Sequence, residues 1–197
     1  GSTDGTLDMV KEYEPSVICI RGNGNLWWGG SLHEGYKWIC NNKVDDRDII
    51  LIINDDTEFD KDFLEKGVRL LGETKKSLIL AVSKGKETNR IVSGGVSINW
   101  IKLTFKDTLN NNEIDCLPTR GLFLYAGDFK NIGGFYPKLL PHYLSDYEYT
   151  IRAKRKGYNL KVMKELHLFV DENQTGYHDV ILEKSYLKFL RKYFSKK

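Results

Sequence analysis

The stretch DIILIINDDTEFD, Asp48–Asp60, places five consecutive aliphatic residues, Ile49–Ile53, directly before a polar and acidic run. A short, wholly apolar and β-branched run is typical of a central strand that is covered on both faces. Asn54, Asp55 and Asp56 would then lie at the carboxyl end of that strand, the edge at which open α/β sheets bind ligands. Carboxylates there hold a hard divalent cation, and the cation holds phosphate oxygens. The alternative is an acidic loop that caps the next helix, since Asp, Asn and Thr all favour caps.

Length and composition narrow the class of protein. The chain has 197 residues, enough for one domain with a substantial core, and its net charge of +3 is too small to indicate nucleic-acid binding. Cys19, Cys40 and Cys116 are odd in number and far apart, so they predict neither a metal site nor a disulfide framework and favour a reducing compartment. No run approaches the roughly 18 apolar residues of a membrane span, and we identify no signal peptide.

Helices and strands are predicted to alternate through the first part of the chain. The predicted helices there are 6–13, 31–40 and 60–71, and the predicted strands are 17–20, 48–53 and 77–82. This alternation indicates a mostly parallel sheet with helices on both faces. Further along we predict strands at 91–99, 101–105, 121–126, 160–163 and 166–170, a helical turn at 129–132, and helices at 145–156 and 179–194. With no internal repeat and no clear linker, we expect one domain.

A second acidic stretch, HYLSDYEYTIRAKRKG, covers His142–Gly157. Asp146 lies at a predicted helix start, with Glu148 two residues and Arg152 six residues further on. In the functional interpretation, Asp146 is a general base that removes a proton from a hydroxyl group. The alternative is a capping Asp followed by surface charges, because helix N-termini favour acids. His142 is of interest because it precedes Asp146 by four residues, although the four histidines share no metal-ligand spacing.

The segment NLWWGGS, Asn25–Ser31, combines glycines with two tryptophans. A Gly-rich turn lets the backbone approach a phosphate or a sugar closely, and Trp27 or Trp28 could stack on a base or a sugar face. The alternative is that both tryptophans belong to the core. The segment has no P-loop Lys and no complete dinucleotide fingerprint, so its glycines carry little weight alone.

The tail SYLKFLRKYFSKK, residues 185–197, interleaves aromatic side chains with lysines and an arginine. One interpretation is an amphipathic helix packed on the domain. The other is a helix that lies on an anionic membrane surface.

Together these segments resemble the inverting, nucleotide-sugar-dependent glycosyltransferases of family two, which have the GT-A fold. Four blocks match in order: GSTDGT (1–6), NGNLWWGGS (23–31), INDDTEF (53–59), and RGLFLYAGDFKNIGGF (120–135) followed by LSDYEYTIRAKRKG (144–157). Order and spacing are preserved over most of the chain. The resemblance implies a three-layer α/β/α fold around a central, mostly parallel sheet. It divides the single domain 1–197 into a donor and metal half (1–83), an acceptor half (84–178) and a basic amphipathic helix (179–197).

The resemblance also assigns roles to individual residues. Asp56 matches the family's metal-contacting acid, with Asn54 and Asp55 beside it, and the implied cation is Mn²⁺ or Mg²⁺. Asp146 matches the catalytic base. The residues implied in donor binding are Asn25, Trp28, Gly29 and Gly30. Those implied on the acceptor side are Gly121, His142, Glu148 and Arg152.

The implied reaction is hexosyl or deoxyhexosyl transfer with inversion at the anomeric carbon. The implied partners are a nucleotide-sugar donor and a saccharide or lipid-linked acceptor, with no nucleic acid. By analogy with the family, the setting is polysaccharide or glycan assembly in the cytoplasm, with membrane contact through the helix at 179–197.

Two departures from the family pattern stand out. Asn54 is neutral, so a cation would be held by less charge than two flanking acids provide. The family's first strand and helix have no counterpart, as in an N-terminally truncated domain, and we therefore expect this chain to bind nucleotide weakly or not at all and to be inactive or weakly active as it stands. The rival function is a non-catalytic carbohydrate- or partner-binding module on a degenerate GT-A scaffold. A nucleotidyltransferase would need a basic, Gly-rich loop near the start, which is absent.

Overall fold

The computed structural model describes residues 2–171, which contain five helices and eight strands. The helices are α1 (Thr6–Tyr13), α2 (Trp27–Asn41), α3 (Phe63–Gly72), α4 (Ala126–Ile132) and α5 (Ser145–Arg155). The strands are β1 (Ile49–Ile52), β2 (Thr57–Glu58), β3 (Ser77–Gly85), β4 (Ile91–Ser93), β5 (Gly95–Asn99), β6 (Thr104–Thr108), β7 (Leu122–Tyr125) and β8 (Asn159–Val170). The predicted helix at 179–194 lies outside the described residues.

The main sheet has six strands in the order β1-β7-β3-β8-β2, with β4 paired to β3. The β3–β8 pair is parallel, whereas β1–β7, β3–β7, β3–β4 and β2–β8 are antiparallel. The expectation of a mostly parallel sheet is therefore corrected for residues 2–171. Strands β1 and β3 do run in the same direction, as a strand–helix–strand pattern implies, but β7 lies between them and runs opposite to both.

The strand predicted to be central is at one end of this sheet. Among the described strands β1 pairs with β7 alone, and only Ile52 is fully buried while Ile49–Leu51 are half-buried. The strand predicted at 17–20 does not form, and Val17, Ile18 and Ile20 are exposed. An apolar run predicts that a strand is buried, but it does not encode the position of that strand in the sheet order.

Strand β3 is the central one, with β7 on one side and β8 on the other. Its side chains alternate between two cores, as the two-residue period of a strand requires. Leu78, Leu80 and Val82 pack with residues of α2, α4 and α5, whereas Ile79 and Ala81 pack with residues of α3. Helices therefore cover both faces of the sheet.

The two strands predicted at 160–163 and 166–170 form a single strand, β8, whose pairing with β3 contains an irregularity. Ala81 pairs with Met163, but the next residue, Val82, pairs with His167, so β8 carries three extra residues between those pairs. The exposed Lys164 and Glu165 lie in this bulge.

A second, two-stranded sheet is the antiparallel β5–β6 hairpin. It is attached to the domain through a bridge between Val96 and Cys116, both of them buried with Tyr147. Within residues 2–171, no helix has the length and apolar character that crossing a bilayer requires.

Helix α3 approaches the sheet at Gly67, and this contact provides a test of the fold. A Cβ atom at Gly67 would collide with the ring of Phe123, which is 1 % exposed and has no free space to move into. We expect Gly67→Ala to lower the free energy of unfolding by about 1–3 kcal/mol, as overpacking does. Urea unfolding followed by circular dichroism measures the change.

The matched control lies on the same helix. A Cβ atom at Gly72 meets nothing within 4 Å, so Gly72→Ala should cause no loss of stability. Equal effects of the two substitutions would contradict the packing of α3 against β7.

Candidate functional site

A cleft of about 330 Å³, here called the site cleft, opens beside the carboxyl end of β1. It lies between the segment that precedes β7 and the start of α5. Its lining residues are Trp28, Asn54, Val92, Ser93, Asp107, Pro118, Thr119, Arg120, His142, Tyr143, Leu144, Asp146 and Tyr147. The structure thus brings together four residues that the sequence singled out from three separate segments, namely Trp28, Asn54, His142 and Asp146.

Asp146 lies in the first turn of α5 and is half-buried. Burial raises the pKa of Asp146 to about 6, and hydrogen bonds from the backbone N–H groups of Tyr147 and Thr119 act in the opposite direction. The Tyr147 N–H donates to Asp146 Oδ1 at 2.9 Å. A carboxylate with a pKa close to neutrality can accept a proton from a hydroxyl group and release it again, as a general base does.

The loop before α5 is held against α2. The N–H of Gly29 donates to Pro141 O at 2.9 Å, and Ser145 Oγ donates to His142 O at 2.9 Å. A Cβ atom at Gly29 would lie 2.6 Å from Leu140 O. Gly29 is therefore required because it lets the loop before α5, the helix that carries Asp146, approach α2.

The structure corrects the prediction of a Gly-rich turn at Asn25–Ser31. Helix α2 begins at Trp27, so Gly29 and Gly30 are buried helical residues and neither lines the site cleft. Asn25 is exposed outside the cleft, and its N–H bonds to Asn23 Oδ1. The sequence was misleading because paired glycines usually break helices, whereas here the missing side chains permit close packing.

Trp28 packs against the core, as one of its two interpretations predicted, and it also reaches the site cleft. Trp28 Nε1 donates to Thr119 Oγ1 at 3.1 Å, which fixes the ring in the cleft wall.

Of the residues after β1, Asn54 lines the cleft itself and Asp56 is linked to it through Arg120. Asn54 lines the cleft, and its Oδ1 atom is buried without a hydrogen-bond partner. Asp55 and Asp56 are exposed, and Asp56 Oδ2 lies 3.5 Å from Arg120 Nη2. Arg120 itself lines the cleft, so Asp56 is tied to the cleft wall.

These oxygen atoms fit a divalent cation that is shared with a phosphate. No group of three or more His, Cys, Asp or Glu side chains within the described range 2–171 is arranged to hold a metal ion. Mg²⁺ and Mn²⁺ need only one or two carboxylates when substrate phosphates supply further ligands. The free Oδ1 of Asn54 and the carboxylates of Asp55 and Asp56 are ligands of this kind.

His142 lines the site cleft, and its ring packs against Trp27 with centroids 5.7 Å apart. Burial lowers the pKa of His142, so the imidazole is neutral at physiological pH. Its Nδ1 atom is buried and has no hydrogen-bond partner. His142 therefore presents a neutral imidazole to the cleft wall.

Gly121, predicted on the acceptor side, is a buried structural residue and does not line the cleft. Its φ angle is +82°, and a Cβ atom would collide with Leu168. The preceding residues, Thr119 and Arg120, are the ones that line the cleft. Sequence reasoning missed both, although Arg120 opens the RGLFLY block; a positive charge just before a glycine-led strand was the available signal.

Glu148 and Arg152 also lie outside the site cleft. Arg152 Nε donates to Glu148 Oε1 at 2.8 Å, and its Nη atoms donate to Ile132 O and Gly134 O at 2.6 and 2.8 Å. The guanidinium stacks over the ring of Tyr136. This pair therefore fastens the turn after α4, and its charges are used within the protein.

The raised pKa of Asp146 predicts a pH-dependent cost to stability. Because the folded-state pKa lies above the ordinary value, wild-type stability falls as the pH rises from about 4 through about 6. Asp146→Asn removes this cost. We therefore expect the free energy of unfolding of the variant, relative to that of wild type, to be about 1–3 kcal/mol greater above pH 6 than at low pH. Urea unfolding of both proteins at several pH values measures this difference. A difference that is independent of pH would contradict the assignment.

Comparison with protein families gives the context of this cleft. The family described as Glycosyl transferase family 2 matches residues 1–126, a range that contains Asn54, Asp56 and Arg120 and ends before Asp146. No curated protein matches the sequence significantly. The family match covers 126 of the 197 residues, which is more than half. The chain belongs to glycosyl transferase family 2.

Proposed function

We propose that the chain is an inverting glycosyltransferase that moves a sugar from a nucleoside-diphosphate donor to a hydroxyl acceptor. The observation that carries this proposal is the position of Asp146, a half-buried carboxyl group that lines the same cleft as Asn54 and Arg120. A base and a phosphate-binding group on one cleft are what sugar transfer from a diphosphate requires.

In this mechanism Asp146 accepts the proton of the acceptor hydroxyl. The acceptor oxygen forms a bond to the anomeric carbon while the bond from that carbon to the diphosphate oxygen breaks. The electron pair of the breaking bond leaves with the diphosphate. Attack and departure occur on opposite faces of the sugar, so the anomeric configuration inverts. The raised pKa of Asp146 favours this step, because a more basic carboxylate accepts the proton more readily.

Arg120 is the residue best placed to bind the departing diphosphate. Its side chain is 23 % exposed at the cleft wall, and its planar guanidinium suits phosphate oxygens. Asn54, Asp55 and Asp56 would hold Mn²⁺ or Mg²⁺, which supplies positive charge to the diphosphate when bound. Trp28 and His142 line the remaining wall, where an indole and a neutral imidazole can contact a sugar.

The second candidate is a non-catalytic carbohydrate-binding module on the same fold. It is favoured by the neutral Asn54 and by the pairing of Asp56 with Arg120, which already offsets the acid's charge. Release of nucleoside diphosphate from a donor panel separates the two functions, because the module would release none. For the enzyme we propose a cytoplasmic setting in polysaccharide or glycan assembly, by family analogy.

The role of Asp146 predicts a particular pH profile. For wild type, log kcat/KM for donor hydrolysis should rise with unit slope up to a pH of about 6 and then level off, since only the carboxylate acts as base. Asp146→Asn should lower the rate by at least about 10²-fold and remove this limb.

The matched control is Asp128→Asn. Burial also raises the pKa of Asp128, but that residue lies on α4 and does not line the site cleft. The control should keep both the rate and the acid limb. If Asp146→Asn retains the limb, Asp146 is not the base.

From the role proposed for Asp56, we predict how donor hydrolysis depends on the Mn²⁺ concentration. Asp56→Asn should raise the Mn²⁺ concentration that half-saturates donor hydrolysis by about ten-fold or more, because one of few ligands is lost. Binding of Mn²⁺ in the presence of UDP, measured by electron paramagnetic resonance, should weaken in parallel.

Glu58→Gln is the control, since Glu58 is a nearby exposed acid that pairs with Lys86 and lies outside the site cleft. If donor hydrolysis by Asp56→Asn depends on Mn²⁺ concentration as it does in wild type, Asp56 does not hold the cation. Arg120→Gln should raise the KM for the donor by about ten-fold or more, because the guanidinium that would bind the diphosphate is lost.

A further inference from the structure

The tip of the β5–β6 hairpin, Trp100–Leu103, exposes three large apolar side chains side by side. Ile101 is 96 % exposed, Leu103 is 69 % exposed and Trp100 is 55 % exposed. Single exposed apolar residues are ordinary on protein surfaces, but an adjacent group that includes Trp marks a contact surface. This surface takes no part in the proposed transfer reaction.

The turn that presents these side chains has a defined structure. Asn99 Oδ1 accepts hydrogen bonds from the N–H groups of Ile101 and Lys102, at 3.1 and 2.9 Å. Leu103 has a φ angle of +50°, in the left-handed region. The tip is therefore a fixed, convex projection.

The charge around the tip has one sign. Residues 97–106 include Lys102 and Lys106, both exposed, and no acid. The acid of the hairpin, Asp107, lies toward the other end of β6, where it lines the site cleft, and Asp115 accepts from the N–H of Ile98 and pairs with Lys154. A basic and apolar projection is complementary to an anionic membrane surface, where Trp lies among the headgroups and lysines contact phosphates.

The other end of the hairpin borders the site cleft. Asp107, at the end of β6, lines the cleft, and the ring of Phe105 packs against Tyr147 with centroids 5.6 Å apart. Tyr147 also lines the cleft. The hairpin therefore connects the exposed tip to the wall of the site.

We propose that the tip Trp100–Leu103 inserts into the headgroup region of an anionic membrane and holds the site cleft at its surface. A four-residue convex tip is too small for a standard protein interface, whereas lipid needs no complementary pocket. Delivery of a lipid-linked acceptor to the cleft rests on the proposed function; the membrane contact itself does not.

Sedimentation of the full chain with lipid vesicles tests this proposal. Wild type should bind vesicles that contain about 30 % phosphatidylglycerol more tightly than vesicles of phosphatidylcholine alone. The triple variant Trp100→Ser, Ile101→Ser, Leu103→Ser should lose about ten-fold or more of its binding. Lys102→Gln with Lys106→Gln should weaken binding to the anionic vesicles only.

The matched control is Leu64→Ser with Val68→Ser on α3, which removes two side chains that are 50 % and 47 % exposed. It should bind vesicles like wild type. Brominated lipids should quench the fluorescence of wild type more than that of Trp100→Phe, which retains the other three tryptophans.

Three outcomes would overturn the membrane contact: wild type that binds neither vesicle, a tip variant that binds like wild type, or a control that loses as much binding as the tip variant. If the basic residues of 179–197 carried the binding, the tip variant would bind like wild type. Donor hydrolysis without vesicles should be unchanged in the tip variant, and absence of hydrolysis in wild type would refute the proposed function separately.

Discussion

The backbone of Gly121 joins two strands that the rest of the site depends on. Its N–H donates to Ile52 O at 2.8 Å, and its carbonyl accepts from the N–H of Ala81 at 3.0 Å. With a φ angle of +82° and no room for a side chain, the position requires glycine. These bonds fix the chain between β1 and β3, and β7 starts there. Residues 118–120 are consequently held at the carboxyl end of β1, where they form one wall of the site cleft.

That wall connects the acidic ends of two distant segments. Thr119 hydrogen-bonds to Trp28 and to the carboxylate of Asp146, while Arg120 contacts Asp56. The two acids have different environments, and environment sets what each can do. Asp146 is half-buried and has a raised pKa, which suits proton transfer. Asp56 is exposed at the rim of the cleft, beside the guanidinium of Arg120. One short segment thus contacts both the half-buried carboxylate of Asp146 and the exposed carboxylate of Asp56.

Several residues of the family-like blocks act through packing. Gly29 admits the loop before α5, and Arg152 with Glu148 fastens the turn after α4. These residues do not line the cleft. They position Asp146, because they hold the loop before α5 and α5 itself. The family-like blocks therefore combine residues that line the cleft with residues that position them, and only burial and hydrogen bonding distinguish the two.

The sequence by itself determined most of the helices and the acidic sites. Helical periodicity predicted 6–13, 60–71 and 145–156 to within three residues at either end, and the apolar runs predicted β1 and β3. It also identified Asn54 and Asp146 as residues of one site, through the resemblance. The tertiary structure alone decided that β7 lies between β1 and β3, that Arg120 faces Asp56, and that burial raises the pKa of Asp146. The physical reason is range: helix and strand periods are local, whereas strand order, desolvation and ion pairing depend on segments far apart in the chain.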